Sequence, residues 1–254
     1  EDLQLNKIKN VQYVREQGSI TEMFDIIFLS YNEPKAAERF EKLQQRVSEL
    51  ATISKRKPNL IWIKDIEGIF NAHQTASNRV TSNMFWVVDG DADVVDSFDF
   101  SYMPDVYDEE VVHVWNSINL INGLEYGYGG VKLFPTQMVR DATTWGLDFT
   151  TGLSSRFKAI PENSCYTRFN TDAYSTWRSA FRECVKLSLN EDTESKERLD
   201  AWLHPNPDAD FRHDAKAGAE QAVAFAKANK DNTEVLLNIN DFNWLKTQYE
   251  ENNT

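Results

Sequence analysis

The stretch FWVVDGDADVVDSFDF, residues 85–100, drives an apolar run into three aspartates spaced two apart, Asp89, Asp91 and Asp93. Three carboxylates within five residues repel one another, and folding them together without a counter-ion costs stability. A divalent cation removes that cost. Hard oxygen donors select Mg2+ or Mn2+, and a cation held by only one or two protein carboxylates can still reach substrate phosphates. The plain alternative is a solvated acidic turn after a buried strand. A calcium loop beginning at Asp89 would need glycine at its sixth position and glutamate at its twelfth; Val94 and Phe100 stand there, which excludes it.

The elements around the acids narrow the chemistry. FDIIFLS (24–30) is a short continuous apolar run, as in a buried parallel strand. It stops at YNEP, where Pro34 suits the first turn of a helix, with Asn32 or Glu33 near its cap. Ala37, Phe40, Leu43, Val47 and Leu50 then fall on one helical face. KPNLIWIKD (57–65) reads as a second strand, GIFNAHQTASNRV (68–80) as a helix and NMFWVVD as the third strand. This alternation predicts a parallel sheet with right-handed crossovers, in which ligands bind beyond the carboxyl ends of the strands. SYNEP and DGDAD therefore become one suspected site.

Farther on, VVHVWNS (111–117) and GGVKLFP (129–135) read as strands joined through the glycine-rich NGLEYGYGG. The YGYGG loop, with Gly129 and Gly130, marks a place where the backbone bends sharply or approaches something closely. From 172 onward the chain reads as helical, interrupted by HPNPDADFRH. Arg178 and Arg182, four apart, share a helix face and could clamp phosphate, while Trp177 and Phe181 read as packing. The expectation is one α/β domain over 1–254, Rossmann-like, with a mostly parallel central sheet, flanking helices and a helical C-terminal portion. Its parts are a nucleotide-binding half (22–100), an acceptor half (101–190) and the portion 191–254.

Composition bounds the partners. The 254 residues are 41% hydrophobic and carry a net charge of −13, ample for a core and repulsive towards nucleic acid and anionic membranes unless a local patch reverses the field. Residues 129–190 are such a patch, with eight Lys and Arg against five acids. No run is long and apolar enough for a membrane span. Cys165 and Cys184 make neither a disulfide framework nor a zinc site, and EDLQLNKIKN lacks the basic-then-apolar layout of a secretory signal. A reducing, cytoplasmic compartment is expected.

Two enzyme classes place alternating aspartates at a strand end. A haloacid-dehalogenase-type phosphatase carries them after the first strand of its domain, whereas two strand–helix units precede them here. A nucleotide-sugar site needs a metal to stabilise the charge of a departing pyrophosphate, and there the ordered combination fits. FLSYNEP and GIFNAHQTASNRVTSNMFWVVDGDAD resemble the nucleotide-binding half of GT-A-fold, family 2-like glycosyltransferases with a DxD motif. VHVWNSINLINGLEYGYGGVKLFP and FNTDAYSTWRSAFRECVKLS resemble the narrower TET-associated glycosyltransferases of tailed phages.

That resemblance implies sugar transfer from a nucleotide-sugar, such as a UDP-sugar, to a hydroxymethylated pyrimidine in DNA, with Mn2+ or Mg2+ as cofactor. It would place the protein in the cytoplasm of an infected host. Ser30, Tyr31, Asn32 and Glu33 would lie against the nucleotide, with Gly129, Gly130 and Arg178 beside the sugar or phosphate. Asp89 would meet ribose or metal and Asp91 the metal, while Asp93 is a further ligand or a surface acid. His213 or His204 could complete the metal shell, and each also reads as an ordinary surface histidine; His73, on a helix, reads as packing or a cap, with a position near the nucleotide as the alternative. An inverting enzyme needs a carboxylate to deprotonate the acceptor hydroxyl; Asp172 is the first candidate, with Asp148 and Glu183 behind it. The alternatives are transfer to a glycan or small molecule, non-catalytic nucleotide-sugar binding, and the phosphatase.

Overall fold

A computed structural model describes residues 23–52, 54, 56–127, 129–143, 147, 149–153 and 157–252. Strand β1 (Asp25–Ser30) lies between β2 (Leu60–Lys64) and β3 (Met84–Asp89), all three parallel, with Ile27 level with Ile61 and Val87. Helices α1 (Ala36–Leu50) and α2 (Ile69–Arg79) make the crossovers. Every residue of β1 is buried because its alternate side chains enter different cores. Phe28 packs with Leu43, Val47 and Trp86 on the α1 side, and Ile27 and Leu29 with Ala72, Ala76 and Val87 on the α2 side.

The sheet continues through β4 (Ala92–Val94), β5 (Val112–Asn119), β6 (Glu125–Tyr126), β7 (Val131–Pro135) and β8 (Phe157–Thr167). Its order is β2-β1-β3-β7-β5-β8-β4, with β6 hydrogen-bonded to β5. The α/β class is as expected, and the parallel character is confined to β2-β1-β3 and to β5 beside β8; β7 runs antiparallel to both β3 and β5. The glycine-rich link from β5 to β7 holds only the short β6 and no crossover helix, so those strands meet antiparallel.

Strand β8 is invisible to periodicity. FKAIPENSCYT carries Lys158, Pro161 and Glu162, and its only buried members are Ser164, Cys165 and Thr167. Its pairing with β5 also slips twice between Trp115 and Ser117. Short helices α3 (Thr136–Asp141) and α4 (Phe149–Leu153) precede it.

Helices α5 (Ala173–Ser188), α6 (Thr193–Leu203), α7 (Arg212–Asn229), α8 (Thr233–Leu236) and α9 (Phe242–Asn252) form the expected helical portion. They share a core of Trp177, Phe181 and Trp202 against the small-residue stripe Ala215, Ala219, Ala222 and Ala226 of α7. No described helix is long and apolar enough to cross a membrane.

The two ends of the parallel strands differ. At the amino end the fully buried Asp25 accepts from the backbone N–H of Asn59 and Thr81 and pairs with Arg56 at 3.0 Å. Burial alone would raise the Asp25 pKa, but these partners outweigh it and the carboxyl sits below its usual range. At the carboxyl end the chain leaves through two loops that open onto a cleft.

Candidate active site

The loops YNEP and DGDAD cross at Gly90. Its N–H donates to Leu29 O at 2.7 Å, and a β-carbon there would lie 2.6 Å from Glu33 Oε2 and 2.8 Å from Ser30 Cβ. Glycine is what lets the loops meet. Glu33 Oε2 accepts from the Tyr31 N–H at 2.6 Å, which turns its carboxylate inward. The approach is conformationally costly: Asn32 and Lys35 both hold left-handed backbone, with φ 64° and 65°, a state that costs an ordinary residue roughly 1–2 kcal/mol. The first helical residue is Ala36, and Lys35, not Asn32 or Glu33, stands at the cap.

Glu33, Asp89 and Asp91 thus line one cleft of 730 Å³. The same cleft is lined by Lys132 of β7, by Arg178, Arg182, Glu183 and Lys186 of α5, and by Arg198 and Tyr126. Lys132 Nζ lies 3.5 Å from Asp89 Oδ2. It reaches there because Gly129, at φ +81°, carries no side chain; a β-carbon would run into Lys132 Cε. Arg182 is fixed by donating to Ile239 O at 2.8 Å and Asn240 Oδ1 at 3.2 Å. The Arg178 guanidinium sits 4.7 Å from the Phe242 ring, and Tyr31 meets the same ring edge-on at 5.2 Å. The buried Tyr31 hydroxyl has no hydrogen-bond partner among the described residues.

The electrostatics separate this end of the sheet from the Asp25 end. Burial, then the nearby Asp91 charge, raises Glu33 from 4.5 to about 7. Burial raises Asp89 to about 6 in spite of Lys132. Asp91 is also raised by burial, against the pull of Arg178 and Arg39. Carboxylates held near one another with their charge incompletely compensated mark a place prepared for a ligand. Among the described residues no three His, Cys, Asp or Glu side chains converge as a metal cage. Asp89 and Asp91 offer hard oxygen donors in pairs, which suits a Mg2+ or Mn2+ ion that takes its remaining ligands from phosphate oxygens and water.

The sequence-predicted residues divide cleanly. Tyr31, Glu33, Asp89, Asp91, Gly129, Arg178 and Glu183 line the cleft. Ser30 lies behind it, its Oγ accepting from the Trp62 indole at 2.8 Å. Asn32 is exposed beside the cleft. Gly130 supports it from below: its carbonyl accepts from the Asp89 N–H at 2.9 Å, and a β-carbon would press on Cys165 Sγ. Asp93 turns away to pair with Arg39 and Arg168. Asp172 caps α5, its carboxylate accepting from the N–H and hydroxyl of Ser175, and is not part of the cleft wall. His213 and His204 are exposed and stand outside the wall. His73 does line it, with Nδ1 2.8 Å from Ile69 O and its ring stacked 4.2 Å from Phe149. Asp148 lies outside the described residues.

Lys132 and Phe242 are among the cleft residues that the sequence did not single out. The one local signal was the pair Gly129–Gly130 just before Lys132; nothing local marks Phe242. Glu183 combines an accessible carboxylate with fixed partners, accepting from Tyr126 Oη at 2.9 Å and pairing with Lys186 at 3.0 Å.

No protein-family model and no curated protein sequence matches the chain. Solved structures resemble it loosely. The mannosyltransferase PcManGT from Pyrobaculum calidifontis, in complex with GDP-Man and Mn2+, matches at 14% identity and TM-score 0.42 over 92% of this chain and 87% of that one. S. aureus TarS 1-349 matches at 9% identity and TM-score 0.35 over 91% and 92%. HddC from Yersinia pseudotuberculosis matches at 13% identity and TM-score 0.37 over 57% and 92%. Likenesses at these values carry no chemistry to this chain, which is read from the site itself.

Proposed function

We propose that the chain is a glycosyltransferase that moves a sugar from a nucleotide-sugar donor to a hydroxyl acceptor in this cleft. The observation that carries the reading is the gathering of Glu33, Asp89 and Asp91 with Lys132, Arg178 and Arg182 in one cleft, at the carboxyl ends of β1 and β3. Acids and cations together in one cleft suit a nucleoside diphosphate: the cations would meet its phosphates, and the acids ribose hydroxyls and a metal ion. Asp89 and Asp91 would hold Mn2+ or Mg2+, which when bound neutralises charge on the leaving diphosphate. Arg178 and Arg182 supply charge-assisted hydrogen bonds to the same phosphates. Tyr31 offers its buried hydroxyl and Phe242 an apolar face to the rest of the donor.

Transfer breaks the bond between the sugar and the diphosphate and forms one to the acceptor oxygen, whose proton must leave. Glu183 is the carboxylate placed to take it, oriented by Tyr126 and Lys186. The acceptor we propose is a hydroxymethylated pyrimidine of phage DNA. The resemblance over 105–190 supports it, as does the concentration of Lys132, Arg178, Arg182, Lys186 and Arg198 in one cleft of a chain whose net charge is −13. Incubation with a pool of nucleotide-sugars, UDP-sugars among them, and hydroxymethylated DNA, followed by nucleoside mass spectrometry, tests it. A glycosylated nucleoside lost in Asp91→Asn is expected. Sugar appearing on free glycans while DNA is ignored would replace the acceptor, and hydrolysis of simple phosphate esters lost in Asp89→Asn would replace the reaction.

A further inference from the structure

Asp93 completes the DGDAD motif, yet its side chain turns away from the cleft to pair with two arginines. One carboxylate oxygen accepts from Arg39 Nε at 2.7 Å, and the other accepts from Arg168 Nε. Arg39 belongs to the buried face of α1: with Ala36, Leu43 and Val47 it packs inward, where the periodicity had placed Ala37. Its side chain is only 6% exposed. A buried guanidinium on a helix face otherwise made of small and aliphatic residues must have its donors matched. Here Nη1 donates to Pro34 O at 2.8 Å and to Gly90 O at 3.1 Å. The Arg168 N–H in turn donates to Asp91 O at 3.0 Å.

These bonds join separate pieces of chain. Pro34 is the end of the loop that carries Tyr31 and Glu33; Gly90 lies between Asp89 and Asp91; Arg168 follows the last residue of β8. One planar fork behind the cleft therefore ties both ligand-bearing loops together, and Asp93, on β4, couples that fork to Arg168 at the end of the adjacent β8. Lysine, with a single point of charge, could not satisfy the three directions at once.

We infer that Arg39, Asp93 and Arg168 act as positioning residues that fix the DGDAD turn against the YNEP loop and so set where the Asp89 and Asp91 carboxylates stand in the cleft. The inference rests on the proposed donor site for its functional consequence, and on the hydrogen bonds alone for its mechanical part. The motif's third acid is thus an anchor outside the cation's shell. Losing a partner that orients a ligand of a metal weakens the metal by about 10–100-fold.

Two measurements separate the parts. Amide hydrogen exchange is compared between the wild-type chain and Arg39→Lys, which keeps the charge but not the fork. Faster exchange is expected at Gly90 and Arg168, with the interiors of β1 and β3 unchanged. Mn2+ affinity is read by electron paramagnetic resonance of the free ion in wild type, Asp91→Asn, Asp93→Asn, Arg39→Lys and the Arg39→Lys/Asp93→Asn pair. Asp91→Asn should abolish binding. Asp93→Asn and Arg39→Lys should each weaken it about tenfold, and the pair by less than the product of the two, since both break the shared Arg39–Asp93 contact.

Unchanged exchange at Gly90 and Arg168 overturns the inference whatever Mn2+ does. So does an Asp93→Asn chain that loses Mn2+ as completely as Asp91→Asn and multiplies with Arg39→Lys, because Asp93 would then be a ligand. Wild type that binds no Mn2+ while the exchange difference is present refutes the metal reading and leaves the positioning standing. Should Arg39→Lys fail to fold, Arg168→Gln carries the test, since the Arg168 side chain is 48% exposed and should accelerate exchange at its own amide and at Gly90.

Discussion

Glu33 is held at a cost, and Glu33→Gln should recover it. Its carboxyl titrates near 7 in the folded chain and 4.5 in the absence of the fold, because burial and the Asp91 charge disfavour the ionised form. The folded chain therefore binds this proton more tightly than the unfolded chain. The stability it contributes is fully present below pH 4.5 and is lost as pH rises through about 7. Each pKa unit is worth about 1.4 kcal/mol. The side chain is partly open to the cleft, so solvent screening brings the penalty at pH 8 to roughly 2 kcal/mol. Glutamine keeps an oxygen that can accept from the Tyr31 N–H and removes the charge. In EDTA at pH 8, Glu33→Gln should melt about 4–8 °C above wild type for a chain of this size. At about pH 4 the two should melt nearly together, because Glu33 is then largely protonated in the folded and the unfolded chain alike. Calorimetric or fluorescence melts across that range read the difference directly. A variant no more stable than wild type at pH 8, or one whose advantage does not vary with pH, would refute the partly buried placement of Glu33 beside Asp91.

Gly129→Ala should destabilise the chain by about 1–3 kcal/mol, since it forces a side chain into left-handed backbone and into Lys132; thermal melts check it. Arg178→Ala and Arg182→Ala should each weaken nucleoside diphosphate binding by at least about tenfold in calorimetry, as expected for a lost charge-assisted hydrogen bond. Only Arg182→Ala should also lower the melting temperature, because Arg182 anchors Ile239 and Asn240. Glu183→Gln should lower kcat by about 10²–10⁴ with the donor KM unchanged. Asp172→Ala should instead cost about 1 kcal/mol of stability as a lost helix cap, with kcat retained; the reverse pattern would return the base to Asp172.

Much of the frame was written locally. Continuous apolar runs at 24–30 and 84–89 read as strands covered on both faces, and the helical spacing between them as crossovers. Parallel strands put their loops at one end, so YNEP and DGDAD had to be neighbours. The acids at that end, and the shared face of Arg178 and Arg182, were legible for the same reason: each depends on residues within a turn of helix or a few residues of strand.

What folding decided are the choices between residues of equal local merit. Asp93 looks like Asp91 along the chain, and only partners 54 and 75 residues away turn it outward. Asp172 and Glu183 are both carboxylates on α5, and which of them meets the cleft depends on how that helix packs against α7 and the sheet. Lys132 gained its role from the antiparallel pairing of β7 with β3, which no periodicity announces, and β8 escaped notice because its pairing is slipped and mostly exposed. Local spacing fixes faces and strand ends; the partner that compensates a buried charge is chosen by long-range contact, and in this chain that choice separates the cleft's acids from their anchor.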